Sequence, residues 1–299
     1  MSRWRRRLGL TTGGLLTLAA LFVAVIWGLS ERRLGRTWRV EPRPVTLTTD
    51  SATLARGQHL ATAVAKCTDC HGPDLGGVTM IENAAMGRLA SSNLTAGVGG
   101  VAARYTDSDW IRAIRHGIDT AGHPLLIMPS EEYASLSDAD LGAIIAYIKS
   151  VPPVDRTKPA RKINLLPRVL LTFGGLPAPG AEVIPHDAVG GPAAPAGVTR
   201  DYGRYLAVIG GCTSCHTASL AGGKGGPPGS PPPTNITPGG IGHWTEADFF
   251  RALREGKRPD GTAISEAMPW KAAGKMTDDE IRALWIYLRS VPARKFGEG

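Results

Sequence analysis

Aromatic residues make up only 6% of the 299 residues, so any core built from this chain is short of bulky side chains. No segment alternates apolar and polar residues convincingly, which argues against a sheet-based fold. Positive charge is also scarce where a nucleic-acid-binding face would need it. The formal charge is +8, but residues 1–40 carry eight arginines against the single acid Glu31, which leaves about one net charge for everything else. A basic nucleic-acid surface on the globular part is thereby excluded. With 42% hydrophobic and 20% charged residues, the chain does not have the composition of a disordered protein despite its 38 glycines and 23 prolines.

The arginines frame an uncharged stretch of 23 residues, Leu8 to Ser30, with Arg3, Arg5, Arg6 and Arg7 before it and Glu31, Arg32 and Arg33 after it. As a helix this stretch is about 35 Å long, enough for a hydrocarbon core of about 30 Å. Trp4 and Trp27 fall near its ends, where indoles favour the membrane interface. It exceeds the apolar core of a secretory signal, and no small-x-small cleavage pattern precedes Glu31. Residues 1–33 are therefore expected to form a transmembrane anchor. Arginines at both ends leave its orientation open by charge alone.

Beyond the anchor the chain repeats itself. Cys67-Thr-Asp-Cys70-His71, Asn93-Leu-Thr95, Thr106-Asp-Ser-Asp109, Met128-Pro129 and Tyr147-Ile-Lys-Ser-Val-Pro152 return as Cys212-Thr-Ser-Cys215-His216, Asn235-Ile-Thr237, Thr245-Glu-Ala-Asp248, Met268-Pro269 and Tyr287-Leu-Arg-Ser-Val-Pro292. The offset drifts only from 145 to 139 residues, which indicates two copies of one domain, at 48–153 and 199–295. Within each copy the signals are helical. Thr106, Ser137, Thr245 and Thr277 each stand three residues before a carboxylate, as in a capping box. Leu141, Ile144, Ile145 and Ile148 recur at helical spacing, as do Ile281, Leu284, Trp285 and Leu288, and both runs end at Val-Pro. An all-α fold is expected: a transmembrane helix followed by two tandem helical domains with long Gly/Pro loops.

Residues 154–198, rich in Pro, Gly and Ala, form the expected linker. Its one apolar patch, Leu165, Leu166, Val169, Leu170, Leu171 and Phe173, is expected to form a short helix docked on one of the domains, with contact to a membrane surface as the alternative.

All four cysteines lie in the two Cys-x-x-Cys-His pentapeptides. Two thiols three positions apart on a helical turn can add to both vinyl groups of one porphyrin, and the adjacent imidazole then reaches the iron; this is the spacing of c-type haem attachment. A thioredoxin-like redox pair would need a βαβ setting, and a zinc site would need ligands from outside the run. The macrocycle also supplies the bulk that the aromatic-poor core lacks. A sixth iron ligand is expected from Met128, 57 residues after His71, and from Met268, 52 after His216, since both precede Pro and the last helix of their copy. Met80 and Met86 have no repeat counterpart and Met276 stands opposite Leu136, so loop or packing roles are expected for them. Surface or loop roles are expected for His59, His116, His123, His186 and His243. The glycine run 222–226 lacks the Lys-Ser/Thr ending of a phosphate loop and is expected to be a loop at a haem edge.

With these residues the sequence resembles class I c-type cytochromes, and more closely the membrane-anchored dihaem cytochromes c of proteobacteria. It is also similar to the cytochrome subunits of membrane-bound alcohol and sugar dehydrogenases, through both attachment motifs, Asn235-Ile-Thr-Pro238, Gly240-Ile-Gly242, Asp260-Gly261, Met268-Pro269-Trp270 and Tyr287-Leu-Arg-Ser290. Those dehydrogenase subunits usually carry three haems; this chain has motifs for two. The resemblance implies an electron carrier with two His/Met-ligated haems c, bound through Cys67, Cys70, His71 and Met128 and through Cys212, Cys215, His216 and Met268. It implies a single-pass protein of the bacterial inner membrane with its haem domains in the periplasm, and no substrate chemistry of its own. The expected partners are a membrane dehydrogenase, a quinol-oxidising complex or a terminal oxidase. The rival reading, a dihaem peroxidase, needs one iron with an open sixth position, against which two equivalent methionines argue. Residues 48–153 carry a net charge of −4 and 199–299 of +3, so the two domains are expected to meet different partners.

Overall fold

Helix α1 (Arg3–Leu34) opens the computed structural model, which describes residues 3–191, 194–224, 226 and 229–298. Its Gly9–Leu34 stretch is long and apolar enough to cross a membrane. Along its second half only Ile26, Ser30 and Leu34 are buried, a stripe at four-residue spacing on one face.

The first copy begins with α2 (Ser51–His59), continued by a π turn at Leu60–Val64, and α3 (Cys67–His71). A hairpin follows, β1 (Thr79–Asn83) and β2 (Gly87–Ala90), then α4 (Asp107–Ile111) with a π turn at Arg112–His116, α5 (Ser130–Tyr133) and α6 (Asp138–Ser150). Between the copies lie β3 (Lys162–Ile163), α7 (Leu165–Phe173) and α8 (Gly180–Val183). The second copy comprises α9 (Arg200–Ile209), α10 (Cys212–Cys215), α11 (Pro238–Ile241), α12 (Glu246–Glu255), α13 (Trp270–Ala273) and α14 (Asp278–Ser290).

The chain is helix-dominated, as expected, but the first copy is not purely helical. β1, β2 and β3 form an antiparallel sheet in that order. Four of the five β1 residues are exposed, so the strand has no inward face to impose alternation, and its sequence carries no strand signal. The linker patch also forms its helix. However, α7 packs against α1 rather than on a haem-motif domain, because Arg168 bonds Ser30 and Glu31. Of the glycine run 222–226, Gly225 lies outside the described residues.

All four expected helix caps form. Three are complete capping boxes, at Thr106, Thr245 and Thr277. At Ser137 the side chain accepts from the Asp140 N–H, but the backbone N–H of Ser137 donates to the Tyr205 hydroxyl. The Asp140 carboxylate is engaged elsewhere, by Arg56 and Tyr205.

In each copy the first helix crosses the last at a glycine. Gly57 of α2 and Gly203 of α9 lie so close to α6 and α14 that a Cβ on either would collide with the carbonyl of Ala143 or Ala283. The residues flanking these glycines join the copies. Arg56, together with His59, reaches Glu280, and Tyr202 and Tyr205 reach Glu280 and Asp140 respectively, the two carboxylates standing at equivalent places in the repeat. Burial disfavours the charge on Glu280, but the hydrogen bonds from His59 and the Thr277 N–H, with the nearby Arg56 charge, outweigh it and hold the carboxyl down at about 2.

Two outcomes are expected. Gly203→Ala will destabilise the protein by about 1–3 kcal/mol through overpacking, although at an open helical site the same change stabilises by roughly 0.5–1 kcal/mol; thermal or denaturant unfolding reads the sign. Glu280 contributes stability that is complete above its ordinary value of 4.5 and is lost as pH falls toward about 2. Denaturation midpoints measured across that window will therefore fall less steeply for Glu280→Gln than for the parent.

Candidate cofactor-binding sites

Both Cys-x-x-Cys-His runs form a short helical turn that starts from a left-handed residue, Lys66 at φ 53° and Gly211 at φ 72°. Each is followed by another, Gly72 at φ 82° and Thr217 at φ 69°. The reversals bracket the turn so that both cysteines and the histidine project from one compact unit. The two units also start from the same seam between copies, where the Lys66 ammonium donates to the Gly210 carbonyl.

The ring of each histidine is aimed by its own hydrogen bond. His71 Nδ1 donates to the Ser92 carbonyl at 2.8 Å, and His216 Nδ1 to the Thr234 carbonyl at 2.6 Å. Since a carbonyl can only accept, Nδ1 carries the proton and Nε2 keeps its lone pair. Burial pushes both imidazoles below their ordinary value, partly opposed by these same bonds, so each ring is neutral near pH 7.

The repeated Asn-x-Thr motif fixes the carbonyls in turn. Asn93 Oδ1 accepts from the Thr95 N–H and hydroxyl, and its Nδ2 donates to the Val154 carbonyl at 2.7 Å beyond the last helix. Asn235 repeats the arrangement with Thr237 and the Arg294 carbonyl at 2.7 Å.

Cys67, Cys70, His71 and Met128 line one cavity of about 780 Å³, with Trp110, Ile114, Tyr133, Leu136, Ile144 and Ile148 forming apolar walls. Sites for small molecules and cofactors typically occupy about 300–1,000 Å³. In the second copy Cys212, Cys215, His216 and Met268 hold equivalent positions. Met128 and Met268 are both half-buried against the core, in the segments that follow equivalent bridges, Ile118 with Pro124 and Lys257 with Ala263. Burial pushes the Cys67 thiol up to about 12 and raises the other three, the reverse of the lowered value that makes a redox-active pair nucleophilic.

Several residues that line the first cavity carry no signal in the repeat. Met80 and Leu89 come from the hairpin, and Lys158 and Arg161 come from the linker. Burial pushes the Lys158 amine below its ordinary value. Trp110 leaves its buried indole N–H without an acceptor among the described residues. Three cations (Arg104, Lys158 and Arg161), an unpaired N–H donor and apolar walls suit a flat apolar ligand bearing carboxylates, and the Cys, His and Met side chains suit iron porphyrin chemistry. The residues fit a haem.

The histidines outside the motifs depart from the surface roles expected of them in two cases. His116 is buried, with its Nδ1 3.0 Å from His186 Nδ1, because α4 carries it inward; burial together with the His186 and arginine charges lowers it to about 4. His59 is spent on the junction, while His123 lies beside Asp119 and His243 is exposed. Met276 is buried in the core, as expected.

Residues 52–148 match the family described as cytochrome c oxidase, cbb3-type, subunit III, and residues 201–292 match cytochrome c. The chain is 31% identical to a dihaem cytochrome c-type protein of Cereibacter sphaeroides, over 92% of this chain and 97% of that one. It is 31% identical to the fructose dehydrogenase cytochrome subunit of Gluconobacter japonicus over 87% of its length, and 29% identical to the gluconate 2-dehydrogenase cytochrome c subunit of Pantoea cypripedii over 82%. The chain spans 57% and 61% of those two subunits.

Asn93→Ala would leave the buried Thr95 N–H without its acceptor and remove the 2.7 Å donor to the Val154 carbonyl. The expected loss is about 1–3 kcal/mol of stability, read by denaturant unfolding, with Asn93→Asp restoring part of it because Oδ1 can still accept from Thr95.

Proposed function

The chain belongs to the cytochrome c family, and from that premise we propose that it is a membrane-anchored electron carrier holding two covalently attached haems c. The haems supply reversible one-electron chemistry at iron. The protein supplies the grip and the environment. Cys67 and Cys70 hold one group as thioethers, and Cys212 and Cys215 hold the other. His71 and His216 would offer Nε2 to the metal, and Met128 and Met268 their sulfurs. The Ser92 and Thr234 carbonyls orient the imidazoles with the proton on Nδ1, and burial keeps the rings neutral. Trp110, Lys158 and Arg161 receive the carboxylates of the first group. No residue of the chain is given a role in making or breaking substrate bonds.

The observation that carries this reading is the gathering of Cys67, Cys70, His71 and Met128 around one apolar cavity, with the same attachment turn and histidine bond repeated at Cys212, Cys215 and His216. The anchor reading places α1 in the inner membrane and the haem domains in the periplasm, where covalent attachment of this kind takes place. The relatives named for fructose and gluconate dehydrogenases favour service as the cytochrome subunit of a membrane dehydrogenase complex, taking electrons from its catalytic subunit and passing them to the respiratory chain. Co-purification of a flavin- or quinone-dependent subunit in mild detergent supports that assignment, and isolation of the chain alone removes it.

Met128→His and Met268→His are each expected to keep a low-spin haem, abolish one thioether–iron charge-transfer band and lower one of two reduction potentials. An unchanged redox titration removes the substituted methionine from the ligand set.

A further inference from the structure

Linker helix α7 is fastened to the end of α1 by a set of buried contacts. The Arg168 guanidinium, 5% exposed, lies 3.8 Å over the Trp27 ring and donates to Ser30 at 2.8 Å and Glu31 at 2.6 Å. Arg33 answers from α1, donating to the Leu171 carbonyl and, through two nitrogens at 2.9 Å, to Glu182 just beyond α7. These bonds hold α7 level with the last turns of the apolar stretch of α1.

Held there, α7 turns Leu165, Leu166 and Phe173 outward, 38, 45 and 69% exposed. Trp27 and Leu29 of α1 are exposed at the same level. Cations edge this face: Lys162, immediately before α7, and Arg32 and Arg36, at the end of α1, are exposed. An apolar helical face edged by cations is the surface that lies in the boundary between lipid headgroups and acyl chains of an anionic bilayer.

We infer that α7 is a membrane-surface helix that lies in the headgroup boundary of the bilayer crossed by α1 and seats the first haem-motif copy against it. The inference rests on the reading of α1 as a membrane anchor. A lipid surface is the occupant because the exposed side chains adjoin the spanning helix and the flanking charges are complementary to anionic headgroups. Linker residues that line the first cavity, Lys158 and Arg161, immediately precede this helix, so the membrane contact also fixes how the first cavity faces the lipid.

Depth measurements on the full-length holoprotein test this. With all four native cysteines taken by haem, a fifth is the only free thiol. Nitroxide labels are introduced singly through Leu15→Cys in α1, Leu166→Cys and Phe173→Cys in α7, and Glu255→Cys in the second copy. The protein is reconstituted in vesicles of phosphatidylethanolamine and phosphatidylglycerol, and collisions with oxygen and with a water-soluble nickel chelate are compared. Labels at 166 and 173 should show an oxygen-to-nickel ratio several-fold above that at 255 and below that at 15. If 15 is deep while 166 and 173 behave like 255, the α7 inference falls and the anchor stands. If 15 is itself aqueous, the anchor reading fails and carries the inference down with it. If 166 and 173 are shielded from both reagents, protein covers the face and the inference is overturned.

Discussion

Each copy turns on the hydrogen bond between the histidine of its Cys-x-x-Cys-His turn and a backbone carbonyl. That bond fixes which ring nitrogen is protonated and so where the lone pair points. The carbonyls of Ser92 and Thr234 are held by Asn93 and Asn235, which reach past the last helix of their copy to Val154 and Arg294. The orientation of one imidazole thus depends on the closure of the whole copy. The first copy meanwhile folds around about 780 Å³ that its own side chains do not occupy. A ligand of matching size would supply the apolar contacts that this lining lacks.

The two copies are joined by residues that the repeat made available and then changed. Arg56 and His59 of α2 stand where α9 has Tyr202 and Tyr205, and Asp140 stands where the second copy has Glu280. A second arginine in place of Tyr202 would set cation against cation, since Arg56 donates to the Tyr202 hydroxyl at 3.2 Å. The substitutions instead give a junction in which cations and hydroxyls from the first helices meet carboxylates from the last. The buried carboxylates at this junction, with the Lys66 bond to the Gly210 carbonyl beside both Cys-x-x-Cys-His turns, tie the two copies together.

Much of this was legible in the sequence because repetition separates signal from chance. The attachment turns, the helix caps and the loops bearing Met128 and Met268 were readable because each appears twice. Most of what escaped has no counterpart in the other copy. Strand β1 exposes four of its five residues and leaves no alternation to detect. Lys158 and Arg161 sit in a stretch whose composition marks it as linker, and only the tertiary fold brings them to the cavity. The cap at Ser137 is half-formed locally because its other half is a tyrosine 68 residues away. His116 was read as a surface residue because a lone histidine carries no periodic signature of its own; the helix it follows buries it. Helix α7 was legible as a helix, while its docking on α1 depended on Arg168 finding Ser30, Glu31 and Trp27.

The proposed function is that of a chain holding two iron porphyrins beside a membrane. The intact mass of the full-length protein, isolated under denaturing conditions that strip any non-covalent ligand, tests this most directly. The account requires the mass of the polypeptide plus two haem groups. A mass equal to the polypeptide alone, or with a single haem added, contradicts it.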